Sequence, residues 1–486
     1  MPTNYAIPGV YVEEITKFPP AVAQVETAIP AFIGYTERRL DANGGTLDQD
    51  TPVRISSMTE FETRFGNAPR LTVGEVRLDA DNNFLGATIS TSFYLHYAVQ
   101  MFYANGGGDC YIVSVAAAPG FAGGYVSGEI LSGLNALELV DEPTLICFPD
   151  AAGNDDAAIS TSLQVRALQL CAELGDRFTI CDTLLGDPLG ATFRNDIGIN
   201  NLKYGAAYTP WLRATFAKNL TFRELSTGIF TRNGVSGLAL EALTTDTATQ
   251  TLVTTYRTNL GVETEAELAD REQALRNNFG LYKAIIAAIN GLPLAMPPSG
   301  SIAGVYATVD RTRGVWKAPA NVSLNMVAEP TSGFTQGQLA NLNIDPVAGK
   351  SINAIRTFTG KGVLVWGART LAGNDNEWRY INVRRFYNMV EESVKKAAGQ
   401  FVFEPNDANT WVRVQGMIEN FLTLQWRAGA LQGAKPEHAF YVTVGLGKTM
   451  TADDILNGRM IVQIAMAPVR PAEFIILRFE QKMPEA

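Results

Sequence analysis

A phosphate-loop-like run, two histidines, four cysteines and three of the five pairs of adjacent acids are the residues that could carry chemistry, and their spacing decides what they can do. VGLGKT (Val444–Thr449) ends like a nucleotide-binding loop, but GxxxxGK[ST] requires glycine where Val442 stands, and no clean helix opening follows. A loop at the end of a strand fits it better. Gly106, Gly107 and Gly108 follow a helical pattern and precede a strand pattern, the reverse of a dinucleotide fingerprint, so they read as a helix stop. No serine lies in GxSxG. His96 and His438 are the only histidines, too few for an HExxH zinc site or a well-supplied nucleophile triad. Cys110, Cys147, Cys171 and Cys181 form no CxxC pair and lie in apolar runs, as buried free thiols do. Asp141 with Glu142, Asp155 with Asp156 and Asp453 with Asp454 lie beside turn or cap signals, and neighbours in sequence rarely aim at one point. These residues give no catalytic, metal or cofactor-binding assignment.

The elements behind these residues predict a mixed α/β fold. Ile29–Tyr35 reads as a buried strand, Met58–Phe65 as a short helix opened by Ser57, and Ser92–Tyr103 as a helix broken at Asn105–Asp109. Strands at Tyr111–Val115, Thr144–Pro149 and Phe178–Asp182, with a helix at Ala157–Leu174, alternate as in a partly parallel sheet. Between 190 and 260 the pattern is mixed: Tyr204–Trp211 is strand-like, and Thr244–Thr255 has no clear period. A charged helical stretch over Glu263–Asn290 leads to GLPLAMPPSGS (Gly291–Ser301), whose glycines and paired prolines predict a linker or long loop. Gly362–Trp366 is a strand. Val383, Phe386, Tyr387, Val390, Val394 and Ala397 then form one apolar helical stripe, and Trp411, Val414, Ile418 and Phe421 form another after the caps at Asn406–Thr410. Phe440–Val444 is a further strand. Lys395 and Lys396 face away from the first stripe, where pairing of Glu391 with Lys395 and of Glu392 with Lys396 explains them.

Both ends look like extended arms. Pro8, Gly9, Val10, Tyr11, Val12, Glu13 and Glu14 put β-formers after a Pro-Gly break, and Pro19 and Pro20 bound the segment. Met460–Met466 and Glu473–Glu480, the latter containing Phe474, Ile475, Ile476 and Leu477, are β-rich runs split by Pro468 and Pro471. A lone strand must satisfy its backbone groups, either in its own sheet or in a neighbour's. The pattern leaves both open.

These stretches carry a resemblance. PGVYVEEI (Pro8–Ile15), AIPAFIGYT (Ala28–Thr36), AGVYATVDRTRGVWKAPAN (Ala303–Asn321), YINVRRFYNMVEESVKKAAGQFVFEPND (Tyr380–Asp407) and APVRPAEFIILRF (Ala467–Phe479) resemble, in this order, the contractile tail sheath proteins of phages, bacteriocins and extracellular injection particles. The resemblance implies a non-enzymatic subunit without cofactor. It implies hexameric rings stacked around an inner tube, terminal arms woven into neighbours, and contraction that drives the tube through an envelope. The implied partners are further copies of the chain, the inner tube protein, and baseplate and tail-terminator proteins. Lys395 and Lys396 become candidate contacts to an acidic tube. The implied organisation is an arm over 1–25, outer domains over 26–345, an inner domain over 346–470 and a terminal strand over 471–486. A nucleotide-binding α/β enzyme and a receptor-binding tail appendage are the rival readings.

Composition narrows the partners. At 486 residues the chain predicts two or three domains, and its charged fraction, 18%, is below the usual quarter, which leaves weakly charged surface for contacts. A net charge of −10 opposes a phosphate backbone, so nucleic acid is not an expected partner. No run of eighteen apolar residues and no signal-peptide pattern occurs, and the expectation is assembly in the cytoplasm, without membrane insertion, of a particle released by lysis or anchored at a membrane.

Overall fold

The computed structural model describes residues 21–116, 120–121, 123–153, 157–226 and 228–478. They form two compact units, one of 26–388 with 470–478, the other of 21–25 with 389–469.

The larger unit is built on a nine-stranded sheet. Its strands, in chain order, are Pro30–Gly34 (β1), Pro52–Ile55 (β2), Cys110–Ser114 (β3), Leu145–Cys147 (β4), Phe178–Asp182 (β5), Gly205–Thr209 (β6), Val322–Ser323 (β7), Ile352–Phe358 (β8) and Gly362–Val365 (β9). Across the sheet they run β7-β9-β8-β6-β5-β4-β1-β3-β2. The six from β8 to β3 are parallel, and antiparallel strands close both edges. β1, β3, β4, β5 and β6 are buried along their whole length, as strands covered on both faces must be. Side chains alternate between the two faces: Phe32 belongs to one core and Ala31 and Ile33 to the other. The expected domain boundary near residue 345 falls inside this unit, because β8 pairs with β6.

Two buried helices, Leu95–Ala104 (α1) and Ser299–Arg313 (α2), pack against each other on the Phe32 face. Gly300 and Gly304, four apart on α2, make this approach possible. A Cβ at Gly300 would strike the Ala98 carbonyl, and one at Gly304 would lie 2.6 Å from the Phe102 carbonyl oxygen. Each helix starts on a buried carboxylate. Asp150 accepts from the amides of Tyr94, Leu95 (3.0 Å) and Tyr35 (2.8 Å), and Asp182 accepts from the Ser299 amide (2.8 Å). Burial pushes these carboxyls up, to about 6 for Asp150 and about 7 for Asp182, against the pull of those donors.

Several expectations hold closely. Ser57 caps the helix Met58–Phe65 by accepting from the Glu60 amide, and Ala157–Leu174 and Phe178–Asp182 fall on their predicted bounds. Gly291–Ser301 does not. It contains the strand Leu294–Met296, paired with Leu212–Ala214, and its last three residues begin α2. Pro297 and Pro298 stand just ahead of the first helical residue, where a missing amide costs nothing. Thr247–Asn259 is a helix, started by Asp246 accepting from the Thr249 amide at 2.9 Å. The stretch predicted as one helix over Glu263–Asn290 is two, Glu265–Asn278 and Gly280–Gly291, parted at Phe279.

The helix Ile381–Ala398 (α3) begins in the larger unit and ends in the smaller one. Val383, Phe386 and Val390 are buried as its stripe requires, yet Arg384, Arg385 and Asn388 on the supposedly polar side are buried too. Arg384 lies 4.3 Å over the Trp378 ring and donates to Asn388, while Arg385 pairs with Asp310 at 2.5 Å and stacks on Tyr306. In the smaller unit, Asp407 caps Ala408–Arg427 (α4), and Val414, Met417, Ile418, Phe421 and Leu422 form its buried face.

Candidate assembly surface

The smaller unit holds a two-stranded antiparallel sheet of Phe440–Val444 (β10) and Val462–Met466 (β11), in register from Phe440 opposite Met466 to Val444 opposite Val462. Phe440, Val442 and Val444 point inward, with α4 packed on β10, while Tyr441 is exposed. The ladder continues past β11 through the Ala467 amide on Ala439 (2.8 Å) and the Val469 amide on Ala430 (3.0 Å). Among the described residues the sheet stops at two strands.

In the larger unit the chain after Arg470 forms no helix and belongs to no sheet among the described residues. Phe474, Ile475, Ile476 and Leu477 are 66, 79, 79 and 72% exposed, a run of large apolar side chains in water. Directly before them Glu473 is held fast. Its carboxylate accepts from Asn343 Nδ2 (2.7 Å), Arg369 Nε (2.9 Å), Arg369 Nη2 (2.6 Å) and the Tyr380 hydroxyl (3.1 Å). Burial would raise its pKa, but the hydrogen bonds and charge of Arg369, with those of Asn343 and Tyr380, hold it below the usual range.

Residues 373–482 match the family described as Phage tail sheath C-terminal domain. Over nearly the whole chain the fold and sequence are similar to the anti-feeding prophage helical sheath in its contracted state, at 30% identity and a TM-score of 0.61, covering 98% of this chain and 99% of that one. The chain belongs to the contractile tail sheath family. A second solved relative of this sheath protein, the sheath complex of the PVC extracellular contractile injection system in the contracted state, is 28% identical with a TM-score of 0.60, covering 99% of both chains. The tail sheath protein of Vibrio phage KVP40 is 25% identical over 211 residues, 41% of this chain but 28% of that longer relative.

Pro8, Gly9, Val10, Tyr11, Val12, Glu13 and Glu14 lie outside the described residues. Lys395 and Lys396 sit at the end of α3 and both reach the buried carboxylate of Glu392, at 3.1 and 3.5 Å, so the Glu392–Lys396 pair is present and Lys395 shares the same acid. The other sequence candidates are absorbed by the fold. The run Val444–Thr449 is a turn closing β10, in which the Thr449 hydroxyl donates to the Ile461 carbonyl at 2.7 Å. His96 packs edge-on to Phe61 and Tyr97, and burial pushes it down to about 4. All four cysteines are buried and free. Among the described residues no group of His, Cys, Asp and Glu is placed to hold a metal ion, and no helix is long and apolar enough to cross a membrane. Sequence reading missed the Glu473 cluster and the two helix-start carboxylates, since each joins residues more than fifty positions apart; the GxxxG spacing of Gly300 and Gly304 was the one local signal of the α1–α2 contact.

Proposed function

We propose that this protein is a structural, non-catalytic sheath subunit that forms hexameric rings in a helical sheath around an inner tube and contracts to drive the tube through a target envelope. The observation that carries the reading is the exposed run Phe474–Leu477, apolar yet in no sheet among the described residues. An isolated two-stranded sheet is marginal in water, and β10–β11 gains from further strands. The arm of one copy therefore adds to the β10–β11 sheet of another, and the N-terminal arm does the same. Each added strand contributes four or five backbone hydrogen bonds of about 1 kcal/mol net each. Repetition around a ring raises the effective concentration of every later contact, so weak single arms give a strong lattice. The inner tube, baseplate and tail-terminator proteins are the remaining partners, and assembly takes place in the cytoplasm before the particle is released or anchored.

A nucleotide enzyme on the same sheet fits poorly. At the carboxyl end of β5 and just past that of β4, where open α/β sheets bind ligands, Asp182 and Asp150 already occupy the helix starts that a phosphate would need. Negative-stain microscopy and sedimentation of the purified protein test the proposal: hollow tubes or stacked rings are expected. A discrete monomer or trimer at every concentration overturns it in favour of a tail appendage.

A further inference from the structure

We propose that Glu473 is the anchor through which tension on the C-terminal arm enters the body of its own subunit; this rests on the reading of Phe474–Leu477 as a strand lent to another copy. The four donors on Glu473 fill the acceptor positions of one carboxylate, immediately ahead of four residues with large exposed side chains. The geometry divides the segment sharply: fixed at 473, offered to solvent from 474.

Behind the carboxylate the path continues inward. Arg369 is buried, and its Nη1 donates to the Gly373 carbonyl at 3.2 Å. Its backbone amide donates to Asn353 Oδ1 at 2.8 Å, and Asn353 Nδ2 donates back to the Arg369 carbonyl (2.8 Å) and to the Ala207 carbonyl (3.1 Å). Asn353 lies on β8 and Ala207 on β6, inside the parallel part of the sheet. A pull on the arm thus reaches the nine-stranded sheet through charge-assisted and buried hydrogen bonds, with Arg369 between arm and sheet. An arm that slid on its root would lose register with its acceptor strand whenever subunits move. A clamped root keeps register while the lattice rearranges.

The test compares full-length E473Q, Y380F and I476P with the parent protein, reading subunit melting temperature, tube yield and the rate at which tubes shed subunits in mild urea. E473Q keeps the side-chain shape but lacks the charge; it is expected to melt within a few degrees of the parent, to form tubes, and to shed subunits roughly tenfold faster, as loss of charge-assisted bonding predicts. Y380F removes one donor and supplies the test if E473Q does not fold, with a several-fold faster rate expected. Parental durability in E473Q and Y380F, or a loss that only follows a lowered melting temperature, overturns the anchor. I476P decides the underlying reading separately. Proline there removes a pairing amide from an exposed residue, so normal tubes from I476P overturn arm exchange itself.

Discussion

Single residues in this chain are used mainly to hold charge in place. Glu392 is the clearest surface case: one buried carboxylate takes both Lys395 and Lys396, so neither lysine is simply a free cation awaiting a partner. Lys395 is nonetheless 68% exposed along its side chain, which makes it the better candidate for an acidic inner tube. K395E leaves Lys396 to satisfy Glu392 and is expected to fold normally while co-sedimenting less with the tube protein. Unchanged co-sedimentation would return Lys395 to helix pairing alone. Little of this was legible beforehand. Pairs three or four apart on a helix can be read from spacing, but buried Arg384 and Arg385 sit on a face whose sequence looks solvent-facing, and only their partners Trp378 and Asp310, brought in by the fold, explain their burial.

Elements were read best where composition and period agree. The buried parallel strands are short, largely apolar runs, and Ala157–Leu174 and Phe440–Val444 stand out by their own patterns. Gly291–Ser301 misled because prolines before a helix and prolines in a loop look alike until the helix start is seen. The start of α2 also sets a pH response. Asp182 has a folded pKa of about 7, above the ordinary aspartate value near 4, so its charged form is the one that folding disfavours. Stability from this group is therefore fully present below the ordinary aspartate value and is lost as pH rises through about 7. D182N keeps an acceptor for the Ser299 amide and is expected to flatten the rise in melting temperature between pH 8 and 5.5. An equal rise in both proteins would show that Asp182 does not titrate over that range. Glu473 acts in the opposite sense: its lowered pKa supplies stability at neutral pH that is lost as pH falls below the usual glutamate range.

At the scale of the whole molecule, the sequence predicts an α/β protein, and the sheath resemblance matches the family to which the chain belongs. The boundary expected near residue 345 lies within the larger unit, because strands on both sides of that point share one sheet, a pairing no local pattern reveals. Assembly should depend on both ends. Removing residues 2–18 is expected to leave soluble subunits with an unchanged melting temperature, read by sedimentation beside thermal unfolding, whereas intact tubes after the deletion would remove the N-terminal arm from the linkage.

The place of β8 beside β6 has a consequence for biosynthesis. Ile352 lies opposite Ala207, and every residue between them must leave the ribosome before that pairing can form. At ordinary translation rates the interval is on the order of ten seconds, during which the β6 margin stands open to unwanted partners. Nascent chains crowded on one message would then be most prone to tangle at β6, and a holdase reaching them within that window would raise the yield of usable protein.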